Sequence, residues 1–235
     1  MTRIFVPITC LVLAFNLFAQ TDQQGPTPEN LFTRGDGKNY PSRQWNETIG
    51  SSTIDIINSL SGISSMNNFI CDLMRSRTDT DFAFVNYGDM YGDLYQGIIT
   101  DLDLHAICPF ERTLVVLKVS GEFLKQLVEA NISGIRRGLA ISGGKVLYDL
   151  DRPSQNRMTY FQIGEYPAYP RKEYRVVTTD YLVDGNAGFN ILTTLDSTQV
   201  FRTGISLRES IREYILNNSP LDQTHVKLDE RWEKN

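Results

Sequence analysis

The sequence predicts a domain of the α+β class, and three observations support this. Patterned sequence runs from about Ile49 to Leu216, short apolar runs alternate with segments of helical spacing, and no internal repeat is present. Strands that are interleaved with helices, without a regular strand–helix–strand order, favour α+β over a doubly wound α/β sheet. With 235 residues, of which 41% are hydrophobic and 22% charged, the chain can form one soluble domain with a core.

The first 19 residues have the features of a secretory signal peptide. Arg3 precedes a mostly apolar run from Ile4 to Phe18, and Ala19 supplies a small residue at the expected cleavage point. We expect cleavage after Ala19, which removes Cys10 and predicts a secreted, extracellular protein; an uncleaved N-terminal anchor is the alternative.

Residues 20–45 are polar and rich in Pro, Gly, Gln and Asp. Few apolar side chains are available there to offset the entropy of ordering, so this segment is predicted to be a flexible leader. The folded domain is therefore expected over residues 46–235.

Five strands and three helices are predicted within the patterned region. The strands are rich in β-branched and aromatic residues. The first helix follows the candidate caps Ser64 and Ser65, the second follows the cap Ser120, and the last is amphipathic. In chain order the predictions are a helix over Met66–Met74, strands over Asp81–Asn86 and Thr113–Val119, a helix with the apolar face Phe123, Leu124, Leu127 and Val128, strands over Lys145–Leu150, Met158–Ile163 and Tyr174–Thr178, and a helix over Ile205–Leu216.

Charge argues against two classes of partner. The formal net charge is −5, and no dense block of Lys and Arg is present. Nucleic acids and anionic membrane surfaces attract basic patches, so neither is expected as a partner, and membrane insertion is not expected either.

Two cysteines and three sequons follow the signal peptide. Secretion permits a disulfide between Cys71 and Cys108, but the sequence alone leaves their pairing open. Asn46, Asn131 and Asn217 begin Asn-x-Ser/Thr motifs, so they are candidate glycosylation sites if the loops that carry them are exposed.

No pattern for autonomous catalysis is found. Dimetal sites need many ligands at fixed spacing, whereas this sequence has only two histidines, His105 and His225, which we expect to be structural or solvent-facing. No P-loop, Gly-x-Ser-x-Gly elbow or Cys-x-x-Cys motif is present. We expect no catalytic residue, no metal and no cofactor, and the assignment leans towards a protein that is not an enzyme.

Five segments in the right order, over about residues 49–217, resemble motifs of the C-terminal domain of 5'-nucleotidases and apyrases. They are Asn68-Phe69-Ile70-Cys71-Asp72, Asn86-Tyr87-Gly88 through Gly97-Ile98-Ile99-Thr100, Pro109-Phe110, Gly121-Glu122-Phe123-Leu124 to Glu129, and Tyr174-Arg175-Val176 to Tyr181-Leu182 with Gly185 and Gly188-Phe189. The resemblance implies mixed sheets with flanking helices.

The resemblance also implies a nucleobase site. That family holds the base between two aromatic rings, and Phe110 and Tyr181 fall at those positions, with Asn86 where the family has an asparagine near the base. Flat aromatic faces stack well on purines, which makes an adenine nucleotide or adenosine the expected ligand. The alternative is that Phe110 and Tyr181 are ordinary core aromatics.

Departures from the family pattern weaken that site. Tyr87 and Asp89 replace loop glycines, Tyr91 replaces the arginine that meets substrate charge, a second family arginine falls near Leu60, and Ala187 replaces a ribose-binding aspartate. A carboxylate at Asp89 would repel phosphate. The family's dimetal phosphatase domain has no counterpart in this sequence, so 5'-nucleotidase activity is expected at most together with a partner chain.

The tripeptide Arg34-Gly35-Asp36 lies in the predicted leader. Integrins recognise Arg-Gly-Asp through an arginine and a metal-bound carboxylate at opposite ends of a short turn, which glycine permits. A chain of this length contains the tripeptide by chance about 5% of the time. Secreted apyrases and 5'-nucleotidases occur in the saliva of blood-feeding insects, so the resemblance implies an antagonist of the platelet fibrinogen receptor. The alternatives are a nucleotide or nucleoside scavenger, one half of a split 5'-nucleotidase, and a secreted domain with an unrelated binding role.

Overall fold

The structure is a computed structural model, and it describes residues 46–59, 63–132 and 138–235. The predicted signal peptide, the leader and the Arg34–Asp36 tripeptide lie outside the described residues, as does Leu60. The described residues form eleven strands, five α-helices and three short 3-10 helices. None of the helices among them is long and apolar enough to cross a membrane.

The helices and strands have the following bounds. The α-helices are α1 (Ser65–Thr78), α2 (Asp101–Ile107), α3 (Gly121–Ile132), α4 (Asp180–Val183) and α5 (Leu207–Asn218). The strands are β1 (Thr48–Ser52), β2 (Phe82–Asn86), β3 (Gly97–Thr100), β4 (Thr113–Ser120), β5 (Leu139–Ser142), β6 (Gly144–Tyr148), β7 (Met158–Ile163), β8 (Tyr166–Pro167), β9 (Glu173–Thr179), β10 (Val200–Ser206) and β11 (Trp232–Lys234). The 3-10 helices are Asn186–Gly188, Asn190–Thr194 and Ser197–Gln199.

The predicted α+β class is confirmed, with mixed sheets and flanking helices. The central sheet has the order β10-β4-β9-β2-β5, in which only the β2–β9 pair is parallel. A second sheet, β11-β6-β7-β8, is antiparallel except for the β11–β6 pair, and β1 and β3 form a separate antiparallel pair.

The central sheet separates two apolar cores because successive side chains of a strand point to opposite faces. In β2, Phe82 and Phe84 face the core that α3, β6 and β7 close, whereas Ala83 and Val85 face the core that α1, α2 and α5 close. The small side chains on the second face leave room for helices to lie close to the sheet.

Capping serines fix where the predicted helices begin. Ser64 accepts a hydrogen bond from the Asn67 amide at 3.1 Å, and Ser120 accepts one from the Phe123 amide at 3.2 Å. The last helix begins at Leu207 and not at Ile205, because Ile205 still belongs to β10 and Ser206 is the N-cap.

Candidate functional site: an aromatic-lined cleft

The topology of the central sheet brings three chain segments to one edge. Strands β2 and β9 are parallel, so both end at this edge, at Asn86 and Thr179. Strand β4 is antiparallel to β9, with Leu114 opposite Thr179, so it begins there. Phe110, which comes just before β4, therefore lies near Tyr181, which comes just after β9.

These side chains line an open cleft of about 660 Å³. The cleft is within the size range of small-molecule sites. Phe110 is 42% exposed, so it does not fill the core, whereas Tyr181 is half-buried and packs against the core on the α3 side. The lining residues are Asn86, Gly88, Asp89, Tyr91, Phe110, Arg112, Gly138, Tyr181, Ala187 and Phe189.

Arg112 lies over both aromatic rings. Its guanidinium carbon is 4.7 Å from the centre of the Phe110 ring and 4.1 Å from the centre of the Tyr181 ring. Both distances are within the range of cation–π attraction. The Nε atom of Arg112 is buried and has no hydrogen-bond partner among the described residues. We call the rings of Phe110 and Tyr181 the clamp; the protein's own arginine packs on both of its faces.

Sequence reasoning missed Arg112, although a signal was available. Arg112 follows Phe110 by two positions and directly precedes β4, so its side chain was a candidate for the same cleft. Tyr91 packs its ring edge-on against Phe110 with 5.4 Å between the ring centres.

Asp89 places a buried carboxylate in the cleft. The Asp89 amide donates to the Asn86 carbonyl at 3.1 Å, which turns the chain back after β2. The side-chain amide of Asn86, in the orientation that pairs donor with acceptor, donates to the Asp89 carboxylate oxygens at 3.0 and 2.9 Å, and Thr179 Oγ1 lies 3.4 Å away. Burial raises the pKa of Asp89 to about 6, against the lowering influence of the Arg112 charge.

Asn86 therefore has a partner inside the protein. The amide that was predicted to contact a base instead faces Asp89. A base contact at Asn86 stays a prediction, and it requires the side chain to share or exchange this partner.

A buried arginine on α5 holds the loop that carries Phe110. Arg208 Nε donates to the carbonyl of Cys108 and Arg208 Nη2 to that of Pro109, both at 2.8 Å. Arg208 is 8% exposed, so these hydrogen bonds are shielded from water. Thr113 Oγ1 also donates to Asp180 at 2.7 Å, which links the start of β4 to α4.

Cys108 lies beside the clamp, with its Sγ 3.8 Å from the Phe110 carbonyl oxygen, whereas Cys71 and the three sequon asparagines are not among the residues that line the cleft. Cys71 and Cys108 are free, buried thiols, so the possible disulfide is not formed. Asn46 and Asn217 are exposed, whereas Asn131 is buried and its Nδ2 donates to the Leu127 carbonyl at 2.7 Å. A glycan would have to attach at that same nitrogen, so the folded domain corrects the expectation for Asn131.

Within residues 46–59, 63–132 and 138–235, no cluster of three or more His, Cys, Asp or Glu is arranged to hold a metal ion. His105 Nδ1 lies 2.9 Å from the Asp101 carbonyl, and His225 Nδ1 lies 2.9 Å from Asp222 Oδ1. Both histidines are therefore engaged in local contacts within the chain.

The fold and the cleft define an α+β domain with an aromatic clamp at the edge of a mixed sheet. The family model for the 5'-nucleotidase C-terminal domain matches residues 47–194, and the chain belongs to the 5'-nucleotidase family through this domain.

Relatives and solved structures agree with this assignment. The chain is 31% identical over 164 residues to a 5'-nucleotidase-related protein of Glossina morsitans morsitans, a match that covers 64% of this chain and 29% of the relative. It is 25% identical over 159 residues to an apyrase of Tabanus yao, covering 61% and 28% of the two chains. The crystal structure of a 5'-nucleotidase precursor from Thermus thermophilus superposes with a TM-score of 0.73 at 25% identity, over 80% of this chain and 39% of that one. The chain thus spans less than two fifths of the length of these proteins.

Proposed function

We propose that this protein is a secreted member of the 5'-nucleotidase family that acts by binding and not by hydrolysis. Its binding element is Arg34-Gly35-Asp36, which recognises an integrin of the platelet fibrinogen-receptor type and so inhibits fibrinogen binding and platelet aggregation. The main support for a role without hydrolysis is the occupied clamp, since Arg112 packs on both rings that would hold a base.

The buried carboxylate in the cleft supports the same proposal. Asp89 lies 3% exposed beside the clamp, where negative charge opposes the approach of a phosphate. Tyr91 supplies no positive charge, and Arg112, the cation among the residues that line the cleft, already balances the charge of Asp89. The cleft is thus poorly suited to capture a nucleotide, and the leader tripeptide remains the recognition motif in the sequence.

The integrin proposal is tested by a substitution that moves the carboxylate of residue 36 by one methylene group. The full secreted chain, its Asp36→Glu variant and an Asp151→Glu variant are compared as inhibitors of fibrinogen binding to the purified platelet integrin. Asp36→Glu keeps the charge but moves the carboxylate, so a metal-site contact should weaken at least about tenfold, or about 1.4 kcal/mol. Asp151 is an exposed aspartate of the folded domain and serves as the matched control. Equal inhibition by all three proteins, or none by any, contradicts the proposal.

A second candidate function is binding of adenosine or an adenine nucleotide without turnover. The exposed ring of Phe110 and the face of Tyr181 line one cleft, and this convergence is the specific observation in its favour. Titration calorimetry with adenosine and ADP tests it. Absence of heat at millimolar ligand overturns it.

A further inference from the structure

We propose that Arg112 is an internal plug of the clamp: its guanidinium occupies the faces of Phe110 and Tyr181 that a flat, uncharged heterocycle such as a purine nucleoside takes when the plug is removed. The proposal rests on the second candidate function and goes beyond it. It assigns to one residue the control of access to the site and the choice between uncharged and anionic ligands.

The guanidinium is a suitable mimic of a base. It is planar and delocalised, and it stacks on aromatic faces in the same way as a heterocycle does. The distances of 4.7 and 4.1 Å from its central carbon to the two ring centres place it against both faces at once. An external base cannot stack on these same faces while the arginine remains there.

The plug is held by the rings and by charge, and it is not fixed by a hydrogen bond at Nε. That atom is buried without a partner among the described residues. Asp89 supplies the opposite charge in the same cleft, and its pKa is lowered by Arg112 relative to what burial alone would give. Arg112 thus balances the charge of the cleft while it occupies the clamp.

Removal of the Arg112 side chain should therefore have opposite effects on the binding of two kinds of ligand. The ring faces become free for a base, which strengthens the binding of an uncharged nucleoside. The cleft also loses the positive charge of the guanidinium, which weakens the binding of a phosphorylated ligand relative to the nucleoside. The opened clamp should prefer adenosine to ADP.

The test compares four proteins as full secreted chains by titration calorimetry with adenosine and with ADP. They are the wild type, Arg112→Ala, the double variant Arg112→Ala/Tyr181→Ala, and Arg77→Ala as a distant arginine control. Arg77 pairs with Glu213 at 2.7 Å on an exposed surface, so its loss changes the net charge equally without touching the cleft. Thermal unfolding checks that each variant is folded, and Arg112→Gln replaces Arg112→Ala if the alanine variant is not.

We expect Arg112→Ala to bind adenosine about tenfold tighter than the wild type, or about 1.4 kcal/mol, and to bind ADP less tightly than adenosine. The gain should disappear in the double variant, and Arg77→Ala should match the wild type. If the wild type binds adenosine tightly and Arg112→Ala binds it equally well or more weakly, the plug proposal is wrong. The second candidate function then still stands. No binding by any variant overturns both, while the integrin assay is independent of the clamp and still tests the leader.

Discussion

Arg231 Nη2 lies 2.8 Å from Asp72 Oδ2, and this ion pair joins the C-terminal segment to helix α1. Arg231 is 6% exposed, and its Nη1 also donates to the Ile141 carbonyl at 2.7 Å. Asp72 accepts a further hydrogen bond from Ser142 Oγ at 2.5 Å. One arginine thus connects three parts of the fold: the segment after α5, helix α1 and strand β5.

Replacing Arg231 by alanine should destabilise the domain by about 2 kcal/mol or more, because it leaves Asp72 without its ion-pair partner and the Ile141 carbonyl without the arginine donor. Urea unfolding followed by circular dichroism measures the effect. Arg77→Ala is the matched control, since its partner Glu213 and Arg77 itself are about half exposed, and such pairs contribute about 1 kcal/mol at most. Equal losses in both variants would contradict the importance of the buried pair.

The buried carboxylate of Asp89 predicts a specific pH dependence of stability. Its pKa rises from 3.8 to about 6 on folding, chiefly through burial, so the folded state holds a proton that the unfolded chain releases between about pH 4 and pH 6. The wild type should therefore lose stability as the pH rises through this window. Asp89→Asn should remove this loss and be more stable at pH 7, by up to about 3 kcal/mol.

The measurement is the free energy of unfolding at pH 4 and pH 7. Asp89→Asn should differ from the wild type much more at pH 7 than at pH 4. Asp151→Asn, at an exposed position, serves as the control for general changes in charge. If Asp89→Asn is less stable than the wild type at pH 7, the attraction between the Asp89 carboxylate and Arg112 outweighs the cost of burying that carboxylate.

Substitution of two turn glycines with positive φ allows the energetic cost of backbone strain to be distinguished from that of steric clash. Gly143 has φ +81°, and a Cβ there would lie 2.2 Å from the Asp81 carbonyl oxygen, whereas Gly164 has φ +65° and open space around the added atom. Gly164→Ala should cost about 1 kcal/mol from strain alone, and Gly143→Ala at least about 1 kcal/mol more because backbone must move. Chemical denaturation of both variants checks the difference; similar values would mean that the β5–β6 turn relaxes freely.

The parts of the fold predicted from sequence were those with strong local signals. Strand β7 matches its predicted bounds, and helix α1 begins at a serine cap that the pattern indicated. Strand β8 was missed because it has only two residues. Strands β1, β3, β5, β10 and β11 were missed because they depend on partners far away in the chain, as when Thr48 pairs with Thr100. Such pairing is decided by tertiary contacts and leaves no local period.

Only part of the candidate site was predicted from the sequence, because its other contacts depend on the three-dimensional arrangement. Phe110 and Tyr181 were found through motif resemblance, and the topology brings them to one cleft. The position of Arg112 over both rings depends on a side-chain conformation, and the Asn86–Asp89 contact depends on a turn; neither follows from residue types alone.

The two buried cysteines should be unreactive in the native protein. Cys71 is fully buried and Cys108 is 1% exposed, and burial raises the pKa of Cys71 to about 12 and that of Cys108 to about 11. The thiolate is the reactive form, so little is present at pH 8. In a chain produced from Gln20 onward, which lacks Cys10, Ellman's reagent should label neither Cys71 nor Cys108 in buffer and both in urea. Absence of labelling in urea would indicate a disulfide and contradict the free thiols seen here.

Arg208 should set how firmly Phe110 is held at the clamp. Its Nε and Nη2 each donate at 2.8 Å to consecutive carbonyls, those of Cys108 and Pro109, and Nη1 lies 3.3 Å from Glu111. A lysine presents one ammonium group and cannot reproduce this fork, so Arg208→Lys keeps the charge and removes the geometry. We expect a loss of about 1–3 kcal/mol of stability and faster amide hydrogen exchange at residues 110–112. Arg202→Lys, whose ion pair with Asp184 is half exposed at both ends, is the control and should leave that exchange unchanged. If Arg208→Lys also leaves it unchanged, Phe110 is held by the start of β4 alone, and the clamp does not depend on helix α5.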